Sequence, residues 1–284
     1  MKQLISQITQ ILNETQDKTS VLIHVLNQDT PVFEKDSDIQ MVSASTIKVP
    51  IMCCALEEVL QGNMTLDQMI QVEKEDILSD TEVFEHGPDQ YSLEELISWM
   101  IISSDNTATN VLIRVLTMDK INDYIKNELH LNKTRVERIM LDFEAVKNGK
   151  NNYTSHQDQM SIYVKLFNHE ILNDELCNKA IDILYNQRSK DLIMRYIPYR
   201  TPFAHKTGGL DYLVHDCGIM TLGDTSFYFG VSAWDCQDID GNRALAGKIG
   251  RLVYKSRFSR ASFIAAKVIL LGFLDTASIK TLST

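Results

Sequence analysis

The chain has 284 residues, 44% of them apolar and 23% charged, an ordinary globular composition long enough to bury a substantial core in one large domain or two. A net charge of −10 argues against a nucleic-acid partner, because such a surface repels phosphates. The five cysteines, Cys53, Cys54, Cys177, Cys217 and Cys236, are odd in number and include an adjacent pair, which fits reduced thiols better than a disulfide framework.

Leu4, Ile5, Ile8, Ile11 and Leu12 recur at helical spacing and predict an amphipathic N-terminal helix that belongs to the fold. They stand where a secreted protein would carry a charged start, an apolar run and a small-residue cleavage site, so a cytoplasmic location is the expectation. Residues 20–26 are apolar and β-branched, 27–30 supply turn chemistry and 31–33 resume an extended segment, which together predict a hairpin. From 44 to about 116 the pattern reads as helical. Within it Ser92-Leu93-Glu94-Glu95 has the form of a capping box ahead of Leu96, Ile97, Trp99 and Met100. Further helices are predicted over 119–128, 155–168 and 174–186. Strands return at 203–207, 217–222 and 227–233, the last two joined by a Gly223-Asp224 turn, before a closing helix over 242–254. Strands at both ends with helices between them imply a mixed α/β (α+β) fold, in which a five-stranded antiparallel sheet is sandwiched by helices and carries an all-helical subdomain. The expected division is a discontinuous sandwich domain (1–43 and 200–255), a helical subdomain (44–199) and a C-terminal extension (256–284).

Three short words stand in order along the chain: Ser45-Thr46-Ile47-Lys48, Ser104-Asp105-Asn106 and Lys206-Thr207-Gly208. An S-x-x-K arises by chance roughly once in a chain this long, and its bland reading is a surface lysine in the first turn of a helix. The other two triplets are rarer, and the order and separations of all three resemble those of class A β-lactamases and penicillin-binding proteins. The likeness extends to Ser104-Asp105-Asn106-Thr107-Ala108-Thr109-Asn110-Val111-Leu112 and to His205-Lys206-Thr207-Gly208-Gly209, and covers most of residues 1–255. It implies an α/β/α sandwich plus a helical subdomain, with a serine acyl-transfer site in the seam.

Ser45 and Lys48, three apart on a helix, share one face, which sets an amine beside a hydroxyl. A serine needs a base to take its proton, and a buried lysine near a second cation has its pKa lowered toward that task; Lys206 is the expected second cation. By resemblance, Ser104 shuttles the proton to the leaving group, and Asn106 holds Lys48 and substrate. The backbone N–H groups of Ser45 and Gly209 receive the oxyanion, and Lys206 and Thr207 bind a substrate carboxylate. Asp105 is expected to cap or brace the loop, and His205 to sit on a strand surface. The triplet 104–106 also suits a plain helix N-cap, and the two roles are compatible.

The sequence departs from the family where the acyl-enzyme is hydrolysed. Aligning Thr134, Arg138 and Gly149 to the family's Ω-shaped loop puts Met140 where the deacylating glutamate belongs, and a thioether takes no proton. Glu144 is then either a relocated base or a solvated loop carboxylate, and Glu137 is a weaker candidate. The strand after Gly209 lacks the arginine many relatives use for the substrate carboxylate; His215 is the candidate substitute, or simply a strand-end histidine. The scattered histidines and the lack of a C-x-x-C predict no metal site, and no cofactor is implied. The apolar run 261–274 falls short of the roughly 20 residues that span a bilayer, and reads as an extra packed helix or a membrane-surface segment. The functional expectation is a serine hydrolase acylated at Ser45 by a β-lactam or related small acyl substrate. The alternatives are an intracellular esterase, amidase or D-alanyl peptidase on the same fold, or a penicillin-binding trap that acylates once.

Overall fold

The computed structural model describes residues 1–256; the tail, with the expected helix or membrane-surface segment at 261–274, lies outside the described residues. The chain opens with α1 (Lys2–Leu12), which buries Leu4, Ile8 and Leu12, one side chain per turn. The hairpin β1 (Lys18–Val25) and β2 (Phe33–Lys35) follows, then a short β3 (Met41–Val42). After a 3₁₀ turn at Ala44–Ile47 comes α2 (Lys48–Leu60), buried for most of its length.

One sequence expectation fails here. The stretch 44–116 is not continuously helical, because β4 (Met69–Val72) pairs with β5 (Asp89–Ser92) in a small ladder. The cause is a period-two pattern in four residues: Ile70 and Val72 are buried while Met69 and Gln71 face solvent. So short a run is hard to separate from a helical stripe by periodicity.

Next come α3 (Leu93–Ile102), α4 (Asn106–Leu116), α5 (Met118–Asn127), the short α6 (Phe143–Lys147), β6 (Tyr153–Thr154), α7 (His156–Phe167) and α8 (Asp174–Tyr185). The capping box at α3 forms as expected, with Ser92 Oγ accepting from the Glu95 amide at 3.2 Å and the Glu95 carboxylate accepting from the Ser92 amide at 2.8 Å. Three long strands, β7 (Phe203–Leu210), β8 (Leu213–Leu222) and β9 (Thr225–Trp234), precede the closing helix α9 (Ile239–Lys255). Gly223 (φ +62°) makes the two-residue turn between β8 and β9.

The main sheet is antiparallel and five-stranded, in the order β2-β1-β9-β8-β7, so the N-terminal hairpin pairs with the last strand of the described residues. Alternation along each strand feeds two cores. Leu22, Ala204, Cys217, Ile219 and Tyr228 face the helices of the middle segment. Val21, Ile23, Phe203, Val214, Met220 and Phe229 face α1 and α9. Burial on both faces explains why these strands read as near-continuous apolar runs. The edge strand β7 carries one of the three sequence words, and it packs against the 3₁₀ turn that carries another.

Ser92→Ala removes one half of the capping box and is expected to cost about 1 kcal/mol of stability. Urea denaturation should show a lower midpoint at unchanged slope, with the fold retained.

Candidate active site

Three elements converge on one oxygen. Lys48, the first residue of α2, is completely buried, and its Nζ reaches the turn between α3 and α4: 2.6 Å to Ser104 O, 3.2 Å to Ser104 Oγ and 2.8 Å to Asn106 Oδ1. Lys206, on β7 and equally buried, donates to the same Ser104 Oγ at 3.0 Å and to Thr207 O at 2.8 Å. Ser104 holds a left-handed backbone (φ +57°), unfavourable for a residue with a Cβ, so the turn offers both its carbonyl and its hydroxyl to Lys48. Asp105 locks this turn. Its Oδ1 caps α4 through the Ala108 amide (2.7 Å), and its Oδ2 accepts from Thr81 Oγ1 (2.5 Å), the bracing role expected of it.

Ser45 sits half-buried in the 3₁₀ turn just before Lys48, next to Ala44, which is also left-handed (φ +42°). Gly208 explains how closely β7 approaches. A Cβ there would lie 3.0 Å from the Ser45 nitrogen, 3.2 Å from the Ala44 Cβ and 3.2 Å from the Ser43 oxygen, so a side chain would wedge the strand off the turn. Thr207 is buried, and Gly209 lies exposed one step along the same strand.

The electrostatics follow from that burial. Desolvation, helped by the charge of Lys206 and opposed by Asp105 and Asp80, pushes the Lys48 ammonium well below its ordinary pKa. Burial likewise brings Lys206 down to about 7, with Asp216 as the main opposing charge. A lysine made neutral this way has a free lone pair with which to take a hydroxyl proton.

The structure brings Ser45, Lys48, Ser104, Asn106, Lys206 and Thr207 into one neighbourhood, but not Glu144. Its carboxylate, on α6, is 77% exposed and paired with Lys147 at 2.6 Å. Glu137 is tied to Arg135 Nε (2.6 Å) and to the Asn151 amide (3.2 Å). His215 is buried, donates Nε2–H to Val42 O at 2.7 Å, and is pulled by desolvation down to about 4. A neutral ring tethering β8 to β3 offers no cation to a carboxylate, which removes the reason for expecting it to replace an arginine. His205 is not on a strand surface. It is fully buried, stacked on Phe203 with centroids 4.3 Å apart and bonded through Nδ1 to Asp216 Oδ1 at 2.7 Å.

Two residues escaped the sequence reading. Asp80 Oδ2 accepts from Asn106 Nδ2 at 2.7 Å and so fixes which end of that amide faces Lys48. Asn110, quoted within the second word's longer segment but given no role, clasps the backbone of Met140 on both sides: its Oδ1 accepts from Met140 N (2.7 Å) and its Nδ2 donates to Met140 O (3.2 Å). The Met140 side chain is buried. Arg138 closes the base of the loop on Asn151 Oδ1 at 2.9 Å, and Asn152 bonds the backbone of Glu137 and Arg138.

The family model described as "Beta-lactamase enzyme family" matches residues 3–256. Among curated proteins, "Beta-lactamase" from Bacteroides uniformis is 24% identical over 278 residues, covering 89% of this chain and 91% of its own length. Beta-lactamase VEB-1 from Pseudomonas aeruginosa is 22% identical over 214 residues, covering 68% and 70%. Among solved structures, PBP-A superposes with a TM-score of 0.81 at 23% identity, over 90% of this chain and 96% of the other.

Lys206 is expected to lose its proton near pH 7, and Asp216→Asn to move that midpoint lower still, because the carboxylate is the main charge that favours the ammonium. NMR titration of the lysine side-chain signals checks this. A Lys206 midpoint above 9, or an upward shift in Asp216→Asn, would contradict the electrostatic account.

Proposed function

The chain belongs to the β-lactamase enzyme family, and we propose that its acyl-enzyme forms on Ser45 by the opening of a β-lactam or a related acyl amide. The observation that carries this reading is the buried Lys48 amine, held on Ser104 and Asn106 one helical turn from Ser45 and pushed toward its neutral form. In the proposed step, Ser45 Oγ bonds to the carbonyl carbon while its proton passes to Lys48 Nζ. The oxyanion develops toward the N–H groups of Ser45 and Gly209. The C–N bond then breaks, and the leaving nitrogen takes the Ser104 hydroxyl proton, which the ammonium of Lys48 replaces. Charge thus returns to its starting distribution, ready for a second addition to the acyl group. Asn106 holds the acyl side of the substrate, and Lys206 and Thr207 bind a carboxylate on the leaving side.

The second half of a hydrolytic cycle turns on a different residue. At the loop position aligned with the family's water-activating glutamate stands Met140, its backbone clasped by Asn110 and its side chain buried. This favours a second reading, in which Ser45 acylates readily and deacylates slowly, as in a peptidase that passes its acyl group to an amine or in a penicillin-binding trap. A protein of the same fold, a mutant of PBP-A, is described as an acyl-enzyme complex with penicillin G.

Ser45→Ala should abolish covalent labelling by penicillin G with the fold intact, and Lys48→Ala should slow acylation by about 10²-fold or more, the usual scale for losing a general base. Intact-mass spectrometry over time reads both. Labelling that persists in Ser45→Ala, or near wild-type acylation in Lys48→Ala, would remove these assignments.

Met140→Glu should accelerate deacylation of the penicilloyl adduct, since it adds a carboxylate at the position Asn110 fixes. Glu144→Gln should leave the adduct lifetime unchanged, because that side chain is solvated and paired with Lys147. Adduct decay followed by mass spectrometry decides the matter; a stalled Glu144→Gln adduct would instead restore Glu144 as the base.

A further inference from the structure

A recess of about 260 Å³ opens beside the start of β7, between the end of α8 and residues 199–203. Its lining includes Lys190, Tyr199, Arg200 and Thr201, and contains no aspartate or glutamate. Among the described residues, neither Lys190 nor Arg200 forms an ion pair.

Lys190 is the informative group. It is partly buried, yet the hydrogen-bond partner of its ammonium is an imidazole: Nζ lies 3.3 Å from His205 Nε2. The tautomer follows from the next contact. Asp216 Oδ1 accepts from His205 Nδ1 at 2.7 Å, which leaves Nε2 as the acceptor toward Lys190. Asp216 is already committed, since its second oxygen accepts from the Ile193 amide at 3.1 Å. The Lys190 charge also lies over the Tyr199 ring, 5.8 Å from its centroid. Lys190 is a partly desolvated ammonium whose opposing charge, Asp216, stands behind the His205 ring, and Arg200 in the same lining adds a second positive charge that titration cannot remove.

We propose that this recess binds a small phosphate-class oxyanion, held by Lys190 and Arg200 with the Thr201 hydroxyl within the same lining. Charge-assisted hydrogen bonds from an ammonium and a guanidinium are the chemistry that such an anion needs. The volume accommodates inorganic phosphate or the phosphate of a small ester. The site lies apart from the catalytic cluster: along β7, His205 and Lys206 point to opposite faces, and Phe203, beside His205, belongs to the core under α1 and α9. The proposal does not depend on what Ser45 does.

The test titrates inorganic phosphate, and separately glycerol phosphate, against chloride at constant ionic strength, reading the imidazole NMR signals together with the melting temperature. A saturable shift at His205, with a dissociation constant matching the thermal data, is expected. Lys190→Gln and Arg200→Gln should each weaken binding by about tenfold or more, while Lys190→Arg keeps it within about threefold. If only the ester shifts His205, the anion is one carried on a small molecule; if both do so equally, free phosphate suffices. Phosphate effects that match those of chloride, or that survive unchanged in Arg200→Gln, an exposed position that leaves the fold alone, would overturn the proposal.

Discussion

The site depends on two lysine side chains buried around one hydroxyl. Lys48 and Lys206 come from α2 and β7, and both reach Ser104 Oγ within 3.2 Å. Two full charges that close repel by roughly 3 kcal/mol even at an effective dielectric of ~20, and each also carries its own desolvation penalty. The cheapest state leaves at least one amine neutral. Packing thus pushes both amines toward the neutral form. Asp105 and Asp80 oppose the shift but are occupied elsewhere, the first capping α4 and bracing Thr81, the second holding the Asn106 amide.

That arrangement requires three elements to be held at sub-ångström tolerance, and the fold supplies the constraint. The 3₁₀ turn of Ser45 runs straight into α2, so the proposed nucleophile and base share one continuous unit. Ser104 is held left-handed by the Asp105 cap that follows it, and Gly208 lets β7 pack on the Ser45 turn. The local backbone strain at Ala44 and Ser104 is tolerable because the surrounding core, built from α2, α3, α4 and the sheet, determines their positions many times over.

Much of this was legible in the sequence because the three words are local and each falls at the end of an element, where caps and turns leave a readable signature. The sheet was legible for a related reason: β1, β8 and β9 are buried on both faces and so stand out as apolar runs. What escaped was short or tertiary. β4 is a four-residue alternation inside a helical stretch. Asp80 matters only because folding brings it to Asn106, 26 positions away, and Asn110 matters because it meets Met140, 30 positions on. The burial of His205 was equally hidden, since one histidine in a strand gives no sign of which face carries it. Glu144 shows the converse limit of alignment: it left open a relocated base or a solvated loop carboxylate, and which way the side chain turns, here toward solvent and Lys147, is set by the α6 helix.

The loop around Met140 separates how a backbone is held from what its side chain can do. Asn110 grips both the N–H and the C=O of Met140, and Arg138 is anchored by two asparagines and the Ile139 carbonyl, with no carboxylate among these direct contacts. The backbone is held on both sides, and the side chain it carries is a buried thioether. Positioning and reactivity are separable in such a loop, because the clasp acts on main-chain atoms and does not depend on which side chain they carry. In the proposed cycle, acylation draws on Lys48 and Ser104 and needs nothing from this loop. In the proposed reading, what separates a turnover enzyme from an acyl carrier turns on one side chain, packed in the core beneath a backbone that Asn110 holds.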